Sequence, residues 1–311
     1  MLDLPNRSRI MVIMNRLSSE KRRQVVGCLV EGNSIRATCR MTGVSKNTVT
    51  KLLVDLGYAC GAHHDRAVRG LKSERIQCDE IWSFCFAKQK NVRPDKVGEL
   101  GFGDVWTWTA LDADSKLMVS YYVGKREIED ARWFIGDLAQ RLTQRVQLTT
   151  DGHHPYLKAV KETFGLDVDF AQMIKQYGRD VEEGSQRYSP PVCTGVDIRV
   201  RIGDPDPDAI STSYIERQNL TMRMSMRRFT RLTNAHSKKL ENLTCAVALH
   251  FAYYNFVRVH STLKTTPAVA AGIADRIWTI NDLIGLLEEI EDAQPRERAP
   301  YKKRQKPLHS N

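Results

Sequence analysis

Apolar residues near the start of the chain recur with the period of a helix. Val25, Val26, Leu29 and Val30 follow the polar run Ser18-Ser19-Glu20, which predicts a capped helix closed at Gly32. The next stretch, SIRATCRMTGVSKNTVTKLLVDLG, predicts two short amphipathic helices turning at Gly43. Cys39, four residues before the glycine, is small enough to let the helices cross closely, and Val49 and Leu52 anchor the second helix on the first. Ser45 stands where that helix needs a cap. This is helix-turn-helix spacing, and it leaves Lys46, Asn47, Thr48, Thr50 and Lys51 free to reach bases or phosphates. A plain three-helix bundle would show the same apolar pattern.

After a polar, glycine-interrupted stretch the period changes from that of a helix to that of a strand. RIQCDEIWSFCFAK, GDVWTWTALDA and KLMVSYYVG read as three antiparallel strands, the last two joined through Asp112 to Lys116. Glu127 to Leu142 returns to helical spacing, with Ala131, Phe134, Ile135 and Leu138 on one face. VQLTTD is a short strand ending in an acid; a helix from about Tyr156 to Phe164 and the strand LDVDFA follow. The resulting β-β-β-α-β-α-β order is ribonuclease H-like (retroviral integrase-like), an α/β class in which helices flank a mixed sheet. Residues 184–208 are rich in Pro, Gly and Asp and read as a long loop or insertion. Ser211 to Met226 and the aromatic-rich Leu240 to Val257 read as late helices.

The expected organisation is an all-α helix-turn-helix domain over 1–60 and a linker over 61–74. A ribonuclease H-like catalytic domain over 75–285 follows, with an insertion near 172–210, and a basic tail over 286–311 ends the chain. No internal repeat is present.

Charge adds a partner to this picture. The net charge is +10 and the pI about 9.3. Lys plus Arg outnumber Asp plus Glu by 13 to 6 over 1–74 and by 16 to 9 over 216–311, whereas 75–215 carries 18 against 22. Basic ends around an acidic middle suit a nucleic-acid-binding protein with an embedded metal site. The seven cysteines include no C-x-x-C pair, which points to a reducing cytosol and buried thiols. Cys60, His63 and His64 lack the second ligand pair of a zinc site. With no apolar run of membrane-spanning length and no signal-peptide core, the expected location is cytoplasmic, nucleoid-associated when bound to DNA.

Three carboxylates stand out by position: Asp79 within the first strand, Asp151 at the end of the fourth, and Glu216 on a late helix. In a ribonuclease H-like sheet the first and fourth strands are neighbours, so their acids converge, and a helix across that edge can bring the third. An inward-facing acid among Ile76, Ile81 and Trp82 costs several kcal/mol without a partner, and a divalent cation is a natural one. Two Mg²⁺ ions, with Mn²⁺ an acceptable substitute, could then serve an in-line phosphoryl displacement. Glu80, Asp104 and Asp112 lie in or beside strands and are the competing acids; His153 and His154 read as ordinary hydrogen-bonding residues. Between Arg217 and Leu240 there are seven basic residues and no acid. Arg223, Arg227 and Arg228 belong to this stripe, and Arg223 shares a helical face with Glu216.

The segments CDEIWSF, GDVWTWTALD, QLTTDGHHPY, STSYIERQNLTMRMSMRRFTRLTNAHSKKLEN and YYNFVRVHSTLKTTPA resemble the DDE domain of insertion-sequence transposases of the IS-one family. The resemblance covers about residues 75–285. It implies that Asp79, Asp151 and Glu216 are the DDE triad and metal ligands, and that Arg223 is the basic residue that follows the glutamate by seven positions. It also implies Mg²⁺-dependent cleavage at terminal inverted repeats, transfer of the 3′-hydroxyl to target DNA, and a homodimer or higher assembly on DNA. The chain departs from the best-known members in lacking a paired-cysteine zinc finger at its N-terminus. Two other readings stay open: a catalytically inactive, transposase-derived DNA-binding regulator, and a ribonuclease H-like nuclease that cuts without joining.

Overall fold

A computed structural model describes residues 16–178, 192–230 and 234–293. Helices α1 (Ser19–Val30), α2 (Ile35–Thr42) and α3 (Lys46–Ala67) open it, followed by strands β1 (Arg75–Cys85), β2 (Gly103–Asp112) and β3 (Met118–Gly124). Then come α4 (Ile128–Ala139), β4 (Gln147–Thr150), α5 (Pro155–Phe164), β5 (Asp169–Gly178) and β6 (Val192–Ile202). Helices α6 (Ser213–Ser225), α7 (Leu240–Ala252), α8 (Pro267–Ala270) and α9 (Ile280–Ala293) complete the order. Among the described residues no helix is long and apolar enough to cross a membrane.

The strands form one mixed sheet in the order β3-β2-β1-β4-β5-β6. β1, β2 and β3 pair antiparallel, β4 runs parallel to β1 and to β5, and β6 returns antiparallel to β5. Alternation along the strands feeds two cores. Ile76, Cys78, Trp108 and Leu148 pack with Phe134, Leu138, Tyr156 and Val160 of α4 and α5. On the opposite face, Ile81, Val105, Leu111 and Met118 pack with residues of α1, α3, α6, α7 and α9. Burying both faces of the sheet is what a three-layer α/β architecture requires.

The capping chemistry at the N-terminal helices follows the sequence. Ser18, Ser34 and Ser45 each accept a backbone N–H in the first turn of their helix, and Gly43 takes φ +71° between α2 and α3. The domain boundaries do not follow it. The first half of the stretch 61–74 expected to be a linker is the C-terminal part of α3, which runs unbroken to Ala67. Gly57 lets α3 approach α7 so closely that a Cβ there would lie 2.4 Å from the Cβ of Cys245. The N-terminal helices therefore share a hydrophobic core with α7 and α9 rather than standing apart on a tether.

Two further expectations change. The insertion placed near 172–210 contains most of β5 and all of β6, paired from Phe170↔Ile202 to Gly178↔Val192. The tail placed over 286–311 begins inside α9, whose Leu283, Ile284, Leu286 and Leu287 are buried; the basic run 296–306 lies outside the described residues. Cys60 and His64 are buried on α3, with the His64 imidazole at 3.1 Å from the carbonyl oxygen of Val119.

Candidate functional site

Period-two alternation on β1 decides which side chains meet which helix. Gln77, Asp79 and Ile81 face α6, while Cys78 and Glu80 face α4 and α5. The Gln77 amide oxygen accepts from the backbone N–H groups of Tyr214 and Ile215 at 2.9 and 3.1 Å, satisfying donors that the first turn of α6 cannot satisfy itself. Two residues on, Asp79 Oδ2 accepts from Asn219 Nδ2 at 2.8 Å. Helix α6 is thus pinned to β1 at two heights, with Ile215 and Met222 buried beneath it.

Strand β4 brings the second acid. Cys78 pairs with Thr150 in the parallel register, and Asp79 and Asp151 each follow by one residue, so the two carboxylates are neighbours across adjacent strands. Asp151 Oδ1 accepts from the His153 backbone N–H at 2.9 Å, which shapes the exit from β4 into α5. Gln172 of β5 donates to the Asp151 carbonyl at 2.9 Å. Glu80 has a fully buried side chain and accepts from Arg126 Nε at 3.0 Å; Arg126 Nη2 also lies 3.6 Å from Asp151 Oδ2. That guanidinium rests over the Trp106 ring, 4.6 Å from its centroid.

Asp79, Glu80 and Asp151 each offer an oxygen, and the three oxygens lie within 4.8 Å of one another. Burial, and then the Asp151 charge, push Asp79 up to about 6 and Glu80 up to about 8. Burial also raises Asp151, while burial and then Arg126 hold His153 down to about 4. Crowded carboxylates that raise each other's pKa, with Arg126 as the cation at their side, are a donor set that fits a hard divalent ion preferring oxygen ligands. The competing acids Asp104 and Asp112 are not part of this group; Asp112 Oδ1 accepts from the Asp114 and Ser115 backbone N–H groups in the β2–β3 turn.

Of the three acids expected together, Asp79 and Asp151 converge and Glu216 stands apart. Lys175 of β5 donates to both Glu216 oxygens, at 2.5 and 2.6 Å, and Thr212 Oγ1 donates to Oε1 at 2.7 Å. The Glu216 charge nonetheless acts on both Asp79 and Asp151. Glu80, expected to be a bystander, is the third acid of the cluster. Sequence reading passed over Gln77, Arg126, Lys175 and Asn219. Asn219 lies one turn after Glu216 and Gln77 two residues before Asp79, so each shares a face with an acid; Arg126 and Lys175 carry no local signal.

The residues expected to hold DNA are spread over two regions. Lys46 and Asn47 are exposed at the start of α3, Thr48 and Thr50 are half-buried, and Lys51 pairs with Asp55 one turn on. Thr48 Oγ1 is hydrogen-bonded to the capping Ser45 Oγ at 2.9 Å. Arg223 lies half-buried on α6, and Arg227 is exposed just past its end. Arg228 turns inward: its Nη1 donates to Ser237 Oγ at 2.6 Å, and burial holds its guanidinium down to about 10.

Fold and site together define a class, a mixed α/β protein with an acidic cluster suited to a divalent cation near the centre of its sheet. No family model matches the chain, and no curated protein does. Among solved structures it is similar to the cryo-EM structure of the piggyBac transposase synaptic complex with hairpin DNA. That similarity is 10% identity at a TM-score of 0.36, over 94% of this chain and 77% of the other.

Proposed function

We propose that the chain is a DDE-type DNA transposase, a metal-dependent polynucleotidyl transferase that cuts DNA at transposon ends and joins the freed 3′-hydroxyl to target DNA. The observation that carries this reading is the pair Asp79 and Asp151 on adjacent parallel strands, with α6 and its Glu216 pinned across the same region by Gln77 and Asn219. Support comes from the order β3-β2-β1-β4-β5, with the first three strands antiparallel and β4 and β5 parallel to β1, the arrangement expected of a ribonuclease H-like domain. The five sequence segments that resemble IS-one family transposases support it independently.

In this reading Asp79 and Asp151 would hold Mg²⁺, and Glu216, now paired with Lys175, would be the third ligand. Glu80 lies within reach as an alternative third ligand. When bound, Mg²⁺ supplies charge neutralisation at the scissile phosphate and activation of the attacking oxygen. Arg126 opposes the burial that raises Glu80 and offsets part of the repulsion at Asp151. Lys46, Asn47, Thr48, Thr50 and Lys51 at the head of α3, in a helix-turn-helix role, together with Arg223 and Arg227, hold the DNA; Arg228 braces the Arg227 turn through Ser237.

One observation favours a second reading, a DNA-binding regulator without catalysis: the Lys175 ammonium already neutralises Glu216. A paired assay separates the two. Asp79→Asn, Asp151→Asn and Glu216→Gln are each expected to abolish Mg²⁺-dependent DNA cleavage while leaving affinity in a fluorescence-anisotropy titration unchanged. Cleavage at the wild-type rate in any one of the three removes that residue from the site, and no cleavage by the wild type under any divalent ion favours the regulator.

A further inference from the structure

Among the described residues strand β6 has a hydrogen-bonded neighbour on one side alone, because it ends the order β3-β2-β1-β4-β5-β6. An edge strand leaves a row of backbone N–H and C=O groups unused, and proteins ordinarily blunt it with prolines, bulges, charged side chains or a covering element. From Gly195 to Val200 the strand has neither proline nor bulge; its register shifts fall outside, opposite Phe170/Ala171 and Gln176/Tyr177. One face of this regular stretch carries Val196, Ile198 and Val200, which are 50%, 46% and 54% exposed. The other face carries Asp197 and Arg199, an ion pair within the strand with both side chains accessible.

We propose that β6 is a homodimer interface, in which two copies of the chain join edge to edge as antiparallel strands about a two-fold axis at Ile198. The choice of a second copy rests on self-complementarity. With the axis at Ile198, Val196 faces Val200 of the partner subunit and Asp197 faces the partner's Arg199, and each contact occurs twice. Moving the axis one residue back sets Asp197 against itself, and one residue forward sets Arg199 against itself. With the axis at Val200, Arg199 meets the partner's Arg201. Like charges directly opposite one another destabilise a strand pair and opposite charges stabilise it, so the register centred on Ile198, which pairs opposite charges twice, is favoured over these neighbours.

The same register relates the interface to the acidic cluster, although the inference stands apart from the transposase reading. Thr150 pairs with Gln172, and Met173 pairs with Ile198, so Asp151 lies level with the axis. Two copies would set their Asp151 residues on one line across a continuous sheet, five strand spacings or roughly 24 Å apart.

The test is sedimentation equilibrium on the full chain after nuclease treatment. The wild type is expected to give twice the 35.5 kDa chain mass. Asp197→Arg and Arg199→Asp should each weaken the dimer by about tenfold or more, and the double exchange should restore it. A second arm uses mild oxidation on a Cys193→Ser background. Ile198→Cys should form a disulfide-linked dimer, since facing strand residues lie about 4.5–5.5 Å apart at Cα, within disulfide reach. Val196→Cys, which faces position 200, should not. A wild type that stays monomeric, a dimer indifferent to both charge reversals, or equal cross-linking at 196 and 198 would each overturn the proposal.

Discussion

Asp79 and Glu80 are consecutive residues on a strand and point to opposite faces of the sheet, yet both end within 4.8 Å of an Asp151 oxygen. The three can meet because β4 stops at Thr150, so the Asp151 side chain stands at the open end of its strand rather than within a pleat. Asp79 and Asp151 could be read from sequence since each interrupts or ends an apolar strand. Glu80 could not, because its membership depends on where β4 ends relative to β1, a register that no local pattern encodes. Asp79 at about 6, against an ordinary 3.8, places its burden in a definite pH window. Its favourable contribution is complete below 3.8 and is lost as pH rises through 6, so metal-free protein at pH 8 carries a penalty on the order of 1–3 kcal/mol. Asp79→Asn should therefore raise the melting temperature of metal-free protein at pH 8, have little effect at pH 4, and eliminate the stabilisation that Mg²⁺ gives the wild type. Lys175 makes a second residue-level case. Lys175→Gln removes the cation competing for Glu216 and should tighten Mn²⁺ binding measured by calorimetry; unchanged affinity would place Glu216 outside the metal site.

Helix α6 shows how an element, rather than a residue, builds the site. Its apolar positions and its acid were readable from Ser211 onward, but its alignment comes from Gln77, which caps it from a strand 137 positions away in sequence. Gln77→Ala leaves the Tyr214 and Ile215 N–H groups without that acceptor and should cost about 1 kcal/mol, as loss of a cap does. Faster hydrogen exchange confined to the first turn of α6 would report it, and unchanged exchange there would deny Gln77 the role. Helix α3 gives the opposite lesson. It runs past residue 61, where the polar, glycine-interrupted composition of 61–74 predicts a linker. Its small residues instead serve close packing, since Gly57 lies against Cys245 of α7. Gly57→Ala should destabilise the protein by ~1–3 kcal/mol through overpacking, despite improving helix propensity. A rise in melting temperature would show that the two helices do not meet as described.

At the scale of the whole molecule, the shared core of α1, α3, α7 and α9 means that the N-terminal helices and the sheet should unfold together, in one calorimetric transition. Two buried histidines tie that transition to pH. Burial holds His64 and His250 down to about 3, far below their ordinary 6.5, and neither nitrogen of His250 has a hydrogen-bond partner among the described residues. Their stabilising contribution is present above pH 6.5 and is lost as pH falls toward 3, at roughly 1 kcal/mol per histidine per pH unit. Glu80 and Asp79 act with the opposite sign over part of that range, so the clean observable is a difference. His250→Leu should flatten the acid limb of the stability profile relative to wild type, and an unaltered slope would contradict the assignment. Charge distribution at this scale was fully readable from sequence, with basic ends and an acidic middle, and it is the feature on which the proposed DNA partner most directly rests.

The most direct test of the central claim is a strand-transfer assay. Purified full-length protein would be given labelled duplexes bearing the sequences that flank its coding region and a supercoiled plasmid target, with Mg²⁺ or with EDTA. Joined product that requires Mg²⁺ and disappears in Asp79→Asn and Asp151→Asn is the predicted result. Nicked DNA without joined product, or joining that survives either substitution, would contradict the account.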